Sequence, residues 1–462
     1  MRAGTTIMKA AQAFRRDRRG NFGMMMAIVT PLLALSAGYG LNIAQMTIVR
    51  SNLLAALDSA VTSTARDLTT GVIAEKDARG MVEAFLLANG GRAFADADRI
   101  TLDSLVIDKA RGTVSAEASI ILDVAFPLFG AANRQTITAQ SASLYSDKKI
   151  EIAMMLDVTD SMGGQKIKDL KVAAKNAVDA LTKGQNQTNP RVRIALVPYS
   201  DGVNVGALAK DVVFVERKGG SDLPPPMDAK KAEIDANTGK QDNNCATERK
   251  DVNLKADFSD DAPDAVRERK DGQRYLAKVN RDDRLNSCAK AVLKPLSPDA
   301  TALKKQIDDF SVAGYTAGAI GVQWTYYMLS QKWRPAIQKA GLGDGPADAD
   351  PKEVAKIAIL MTDGAFNTAH ADVAGDEKAV RRQDSKSRSY AESLCDRMKA
   401  DGIEVFTIGF KLDSNNARNV MKNCASADTG SLKHYYETSS GEELNDAFMT
   451  IARNVERLAL TQ

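Results

Sequence analysis

The distribution of apolar and polar residues divides the chain before any motif is considered. From Gly20 to Thr47 no charged residue occurs, and the run FGMMMAIVTPLLALSAGYGLNIA is long enough to cross roughly 30 Å of hydrocarbon as a helix. Pro31, Gly38 and Gly40 are tolerable there, because backbone groups in a membrane helix are satisfied locally or by neighbours. Between Asn52 and Leu68 apolar residues recur at helical spacing, so the membrane helix is predicted to continue, or to restart, as an amphipathic one. A second helix is predicted over 75–88. Three runs with period-two alternation and β-branched content follow, ITLDSLVID, TVSAEASIILDVAF and QTITAQSASLY, and predict strands. Residues 52–146 therefore read as a small α+β stalk.

At Lys148 the pattern changes. KIEIAMMLD, VRIALVPY, VAKIAILMT and IEVFTIGF are continuous apolar runs, and helix patterns occupy 166–183 and 386–400. A last helix is predicted over 440–458, opened by a capping box of Ser440 and Glu443 and carrying a stripe of Leu444, Phe448, Ile451 and Val455. Buried runs alternating with amphipathic helices predict the α/β class, a doubly wound, mostly parallel sheet covered on both faces. Ligands of such sheets bind beyond the carboxyl ends of the strands. The interval 216–297 breaks the rhythm with Pro224–Pro226 and many Asp, Lys and Arg residues, so it reads as a solvated insertion on the domain surface. The resulting division is a basic segment 1–20, a membrane helix 21–44, a stalk 45–147 and an α/β domain 148–462 holding the insertion.

Composition narrows the function classes. A chain of 462 residues exceeds one compact core, and 44% hydrophobic with 26% charged residues is ordinary for packed domains. The 62 basic and 59 acidic side chains leave a formal charge of +3, which provides no broad electropositive face for nucleic acid. His370 and His434 are the two histidines, too few for a zinc cluster or a His-based triad, so metal chemistry must use oxygen ligands. Charge also orients the apolar segment. Arg2, Lys9, Arg15, Arg16, Arg18 and Arg19 precede it against Asp17 alone, which keeps the start in the cytoplasm and sends everything after Arg50 outward. A cleaved signal peptide is the competing reading, although its core usually has only ~7 to 15 residues; both readings export the rest of the chain. Four cysteines fit export: Cys245 with Cys288 and Cys395 with Cys424 are the favoured disulfides because each pair stays in one structural unit, the alternative being four buried thiols.

The candidate chemistry lies at the end of the first buried strand, in Asp157-Val-Thr159-Asp160-Ser161. A sharp turn after a strand brings the first, third and fifth side chains toward one point, and a carboxylate with two hydroxyls is a hard oxygen set that suits Mg²⁺, with Mn²⁺ or Ca²⁺ as alternatives, better than zinc. GYTAGAIGVQWTYYML places Thr316 before a helix, on a loop with Gly314 and Gly318, and AILMTDG places Asp363 directly after another buried strand. Asp157, Thr159, Ser161, Thr316 and Asp363 are thereby expected on three loops at one sheet edge. A turn whose hydroxyls merely cap helices is the structural alternative.

These residues resemble the metal-ion-dependent adhesion site of von Willebrand factor A domains, whose pattern is Asp-x-Ser-x-Ser followed by a separate Thr and a separate Asp. Thr159 replaces the usual first Ser and keeps the hydroxyl; Asp160 adds a negative charge beside the ion. The resemblance implies a bound divalent cation with an open coordination position, filled by a Glu or Asp carboxylate of a protein partner, and so adhesion or assembly without catalysis or a small-molecule substrate. The N-terminal stretch RRDRRGNFGMMMAIVTPLLALSAGYGLNIAQMTIVRSNLLAALDSAVTSTA and the closing ERLALTQ are similar to TadG-like proteins of the Flp/Tad pilus assembly family, with Asn42 where that family often has Asp. This similarity implies a bacterial inner-membrane protein, single-pass, with the bulk of the chain in the periplasm or outside. Three rivals remain. A haloacid-dehalogenase-like phosphatase also has an Asp after its first strand, but needs a second two residues on, where Thr159 offers no acid for proton donation. A tethered regulator of a cytoplasmic ATPase conflicts with the orientation, and the last rival is a scaffold with an idle metal site.

Overall fold

The computed structural model describes residues 20–69, 72–89, 100–109, 111–124, 126, 133–146, 148–185, 190–217, 220, 222–224, 226–227, 244–430 and 432–461. The basic stretch up to Arg19 and residues 228–243 of the insertion lie outside the described residues. Two compact units divide the chain, one over 1–69 and 73–145, the other over 70–72 and 146–462.

The first unit is built on one 50-residue helix, α1 (Gly20–Thr69), which runs through Pro31 without ending. It is long and apolar enough to cross a membrane. Met25, Ile28, Leu32, Leu33 and Leu41 are exposed on it. Further along, Leu53, Leu57, Ala60, Val61 and Ala65 fall on one stripe and are buried, the i, i+3, i+4 pattern that packs a helix face. They meet α2 (Glu75–Asn89) and a three-stranded antiparallel meander of β1 (Ile100–Asp108), β2 (Thr113–Asp123) and β3 (Arg134–Leu144). Along β2, buried Val114, Ala116, Ala118 and Ile120 alternate with more exposed residues, as a sheet with one covered face requires. β2 ends at Asp123, so the predicted strand 113–126 is shortened.

In the second unit, the chain passes through β4 (Lys149–Asp157), α3 (Gln165–Leu181) and β5 (Val192–Tyr199), then a set of two- and three-residue strands, β6 (Val203–Asn204), β7 (Val213–Val215), β8 (Cys245–Ala246), β9 (Val266–Glu268), β10 (Arg274–Leu276) and β11 (Val279–Arg281). β12 (Lys294–Ser297), α4 (Ala300–Asp308), α5 (Gly318–Tyr327), β13 (Val354–Thr362), α6 (Asp384–Ala400), β14 (Glu404–Phe410), α7 (Asn415–Cys424), β15 (Tyr435–Thr438) and α8 (Gly441–Thr461) follow, with shorter helical turns between some of them. Six strands form the main sheet in the order β12-β5-β4-β13-β14-β15. Five are mutually parallel, and β12 pairs antiparallel with β5, making the sheet mixed. Alternate residues of the buried strands feed two cores: Ile152 and Met154 pack with Leu170 of α3 and Phe448 of α8 on one face, and Ala153 and Met155 pack with Trp324 of α5 and Leu394 of α6 on the other. The α8 stripe is buried throughout. Ser440 Oγ accepts from the Glu443 N–H at 3.1 Å, but the Glu443 carboxylate reaches back to Ser439 instead of Ser440, so the cap is displaced by one residue from a reciprocal box.

The insertion departs from its expectation as a solvated loop. β12 belongs to the main sheet, and the charges before it are interior: Glu216, Arg249, Lys250 and Asp282 are all buried. Lys250 Nζ donates to Glu216 at 2.7 Å, to Asp282 at 2.8 Å and to the Gly220 carbonyl at 3.0 Å, while Arg284 forks onto Asp282 and reaches the His370 and Val373 carbonyls. Burial of these charges is tolerated because each has an opposite partner within ion-pair distance, Asp257 in the case of Arg249. The disulfides join Cys245 to Cys288 and Cys395 to Cys424, with Cα–Cα distances of 6.0 and 5.0 Å.

Candidate metal centre

The carboxyl ends of β4, β5 and β13 lie side by side, because parallel register places Asp157 opposite Tyr199 and pairs Leu360 with Met155. Asp157 ends β4 and is fully buried. Its Oδ1 accepts from the Thr159 N–H at 2.9 Å and the Thr159 hydroxyl at 2.6 Å; its Oδ2 accepts from the Tyr199 hydroxyl and the Thr362 hydroxyl, each at 2.8 Å. The tight turn after Asp157 makes the first pair possible, since a residue two positions on folds back onto the carboxylate. From Thr159 the chain of oxygens continues to Ser161 Oγ at 2.9 Å and on to Asp363 Oδ1 at 2.6 Å. Asp157, Thr159, Ser161 and Asp363 thus form one linked cluster, buried at Asp157 and open at Ser161.

Thr316 reaches the same edge through its backbone. Its N–H donates to Asn367 Oδ1 at 3.1 Å and its carbonyl accepts from the Asn367 N–H at 3.0 Å, so the loop before α5 is tied to the loop after β13. The loop after β4 joins them, because the Asp160 N–H donates to the Gly314 carbonyl and the Ala313 N–H to the Val158 carbonyl. Gly314 takes a φ of 75°, a backbone that a side-chain-bearing residue rarely adopts. Among the described residues the Thr316 hydroxyl makes no hydrogen bond to the other four. Asp160 is exposed and lies outside the linked cluster.

Three contributors carry no motif. Tyr199 and Thr362 close off Asp157 Oδ2, and Lys166, in the first turn of α3, places Nζ 2.7 Å from Asp363 Oδ2. The first two were detectable only as the residues that end the neighbouring parallel strands. Lys166 had a faint signal of its own, since a cation in a first helical turn opposes the helix dipole unless an anion lies nearby.

The electrostatics describe a place that favours added positive charge. Burial and the neighbouring Asp363 carboxylate push the Asp157 carboxyl up to about 6, against the hydrogen bonds of Thr159 and Thr362. Burial and the same Asp157 charge raise the Tyr199 hydroxyl well above its ordinary range. Among the described residues no group of three or more His, Cys, Asp or Glu gathers. The oxygens the structure links are two carboxylates, Asp157 and Asp363, and two hydroxyls, Thr159 and Ser161, all of the hard type that suits a small divalent cation better than a soft one.

Comparison with protein families finds no match, and comparison with curated proteins finds none. Solved structures do match. The pilus adhesin SpaC of Lactobacillus rhamnosus GG, in its open conformation, is 11% identical over 78% of this chain at a TM-score of 0.37, and this chain spans 34% of its length. The vWF domain of the type V pili tip protein Mfa5 from Porphyromonas gingivalis is 13% identical over 68% of this chain and 97% of its own, with a TM-score of 0.36. Proximal thread matrix protein 1 from the mussel byssus, with a zinc-occupied MIDAS motif, is 15% identical over 66% of this chain and 46% of its own, with a TM-score of 0.29. At such scores the site is judged by its own geometry.

Proposed function

We propose that this chain is a von Willebrand factor A-like binding protein, anchored by α1 in the bacterial inner membrane with its bulk outside the cytoplasm, and that it holds Mg²⁺ through Asp157, Thr159, Ser161, Thr316 and Asp363. The observation that carries the reading is the linked cluster of Asp157, Thr159, Ser161 and Asp363 at the carboxyl edge of a mostly parallel sheet. When bound, the ion supplies a positive charge able to take a carboxylate from a partner. Asp157 orients the Thr159 hydroxyl and Asp363 orients that of Ser161, while the buried Tyr199 and Thr362 hydroxyls keep Asp157 in place.

The partner is a protein bearing an accessible Glu or Asp, and the similarity of the N-terminal segment to TadG-like proteins makes pilus assembly or pilus-mediated adhesion the setting. Catalysis is not part of the proposal: the position two residues after Asp157 is Thr159, whose hydroxyl is committed to Asp157. Calorimetric titration of the detergent-solubilised full chain with Mg²⁺ and Mn²⁺ tests the reading. Saturable uptake that disappears in Asp157→Ala/Asp363→Ala supports it, and uptake by neither ion sinks it. Metal uptake with normal pilus assembly in the double variant would leave the protein as a scaffold whose ion is idle.

A further inference from the structure

The rim of the oxygen cluster carries an exposed aromatic side chain. Among the described residues of 146–455, the exposed large apolar side chains are Val172 on α3, Met227 and Val266 in the insertion, and Tyr315, which directly precedes Thr316. The backbone of Tyr315 is pinned from two sides. Its N–H donates to the buried Asp201 carboxylate, and the Gly314 carbonyl before it accepts from the Asp160 N–H at 3.0 Å. A Cβ at Gly314 would stand 3.1 Å from Asp201 Cγ, so glycine is what lets the loop close on Asp201.

The side chain is braced as well. The Arg381 guanidinium stands over the Tyr315 ring, 4.5 Å from its centre. Arg381 is itself fixed, 2.6 Å from Oε1 of Glu377 and 3.9 Å from Asp201, and the same Glu377 oxygen accepts from Asn286 Nδ2 at 2.6 Å. Arg381 thus occupies one face of the ring, yet Tyr315 is still 45% exposed. A cation–π contact in solvent contributes little stability. A rigid aromatic held ready is instead what a binding surface uses, because little side-chain freedom is lost when it is covered.

Charge around the rim narrows what this ring meets. Lys166 is paired with Asp363 and Arg381 with Glu377, while the exposed Asp160 has no cationic partner among the described residues. A second acid beside the partner's carboxylate would face Asp160 and be disfavoured. We propose that Tyr315, backed by Arg381, is a specificity-determining residue of the site: it stacks on an aromatic side chain that the partner protein carries next to the Glu or Asp given to the ion. The inference rests on the reading of the oxygen cluster as a metal site.

Small carboxylates stand in for the partner. The detergent-solubilised full chain is loaded with Mn²⁺, and acetate, phenylacetate, phenylpropionate and phenylbutyrate are titrated while the paramagnetic relaxation of their protons is followed; the series varies the reach from carboxylate to ring. At least one aryl member is expected to bind about two- to tenfold more tightly than acetate. That preference should vanish in Tyr315→Ala and survive in Tyr315→Phe, with Mn²⁺ affinity unchanged in both; partition into detergent is common to all the chains and cancels. Equal binding of acetate and every aryl member by the parent chain, or an aryl preference that survives Tyr315→Ala, overturns the role of Tyr315 and leaves the metal reading standing. Mn²⁺ uptake with no carboxylate bound overturns it together with the carboxylate partner, and absence of Mn²⁺ uptake overturns the metal site as well.

Discussion

The Lys166 ammonium lies 2.7 Å from Oδ2 of Asp363, while Oδ1 of the same carboxylate accepts from Ser161 at 2.6 Å. A cationic side chain thus already contacts a carboxylate assigned to the ion. It offsets the charge of two neighbouring acids, Asp157 and Asp363, and it competes with any metal that approaches them. Lys166→Gln is expected to lower stability in chelator and to tighten Mg²⁺ binding by about 1 kcal/mol, roughly fivefold in Kd, a modest figure because the lysine is partly solvated. Calorimetric titration reads it, and an unchanged or weaker affinity would show that the lysine aids the site instead of competing for it.

Asp157 and Asp363 differ in what they hold together. Asp157→Ala removes the acceptor for the Thr159 N–H and for the hydroxyls of Thr159, Tyr199 and Thr362, leaving buried donors unpaired. The expected cost is about 2 to 3 kcal/mol without metal. Asp363→Ala frees only Ser161 and Lys166, both reachable by water, and should cost about 1 kcal/mol. Urea unfolding in chelator measures both, and equal costs would contradict the role of Asp157 as organiser of the loop.

His370 is fully buried, with the Asp282 carboxylate 3.9 Å from Nδ1 and Glu248 accepting from its backbone N–H. Burial alone would lower the imidazole; the nearby Asp282 and Glu248 charges outweigh it and the opposing Lys250, so the group is raised above its ordinary 6.5. A raised folded value means the protonated form stabilises the fold. That contribution is complete below about pH 6.5 and is lost as pH climbs through the folded value. The stability gap between the parent chain and His370→Phe is accordingly expected to be widest at acid pH and to narrow toward alkaline pH in thermal unfolding. A gap that widened with pH would reverse the sign.

The Cys245–Cys288 disulfide closes a separation of 43 residues around the buried Lys250 cluster. Cys245→Ser/Cys288→Ser should lower stability by about 2 to 4 kcal/mol. A thermal scan of this variant beside the parent chain checks it, and coincident transitions would mean that the ion pairs alone keep the insertion ordered.

Much of the architecture is written in single-residue chemistry. The runs that became β4, β5, β13 and β14 are apolar because each strand is covered on both faces, and the stripe of Leu444, Phe448, Ile451 and Val455 is apolar because one side of α8 is covered. Each such residue carries its own trace of burial, which periodicity collects. The turn Asp157-Val-Thr159-Asp160-Ser161 was legible for a similar reason, since its spacing is local. α7 and β15 escaped because they are short, with 10 and 4 residues, too brief for a period to declare itself.

The amino-acid sequence by itself therefore determined the elements whose side chains meet either core or solvent, and the local half of the oxygen cluster. Folding in three dimensions alone decided that Tyr199 and Thr362 close over Asp157, that Lys166 meets Asp363 across 197 positions, that β12 adds an antiparallel edge, and that Lys250 lies buried between Glu216 and Asp282, 34 and 32 residues away. The physical reason is that a polar group is made tolerable in the interior by its partner, and a partner distant in the chain leaves no pattern around either residue.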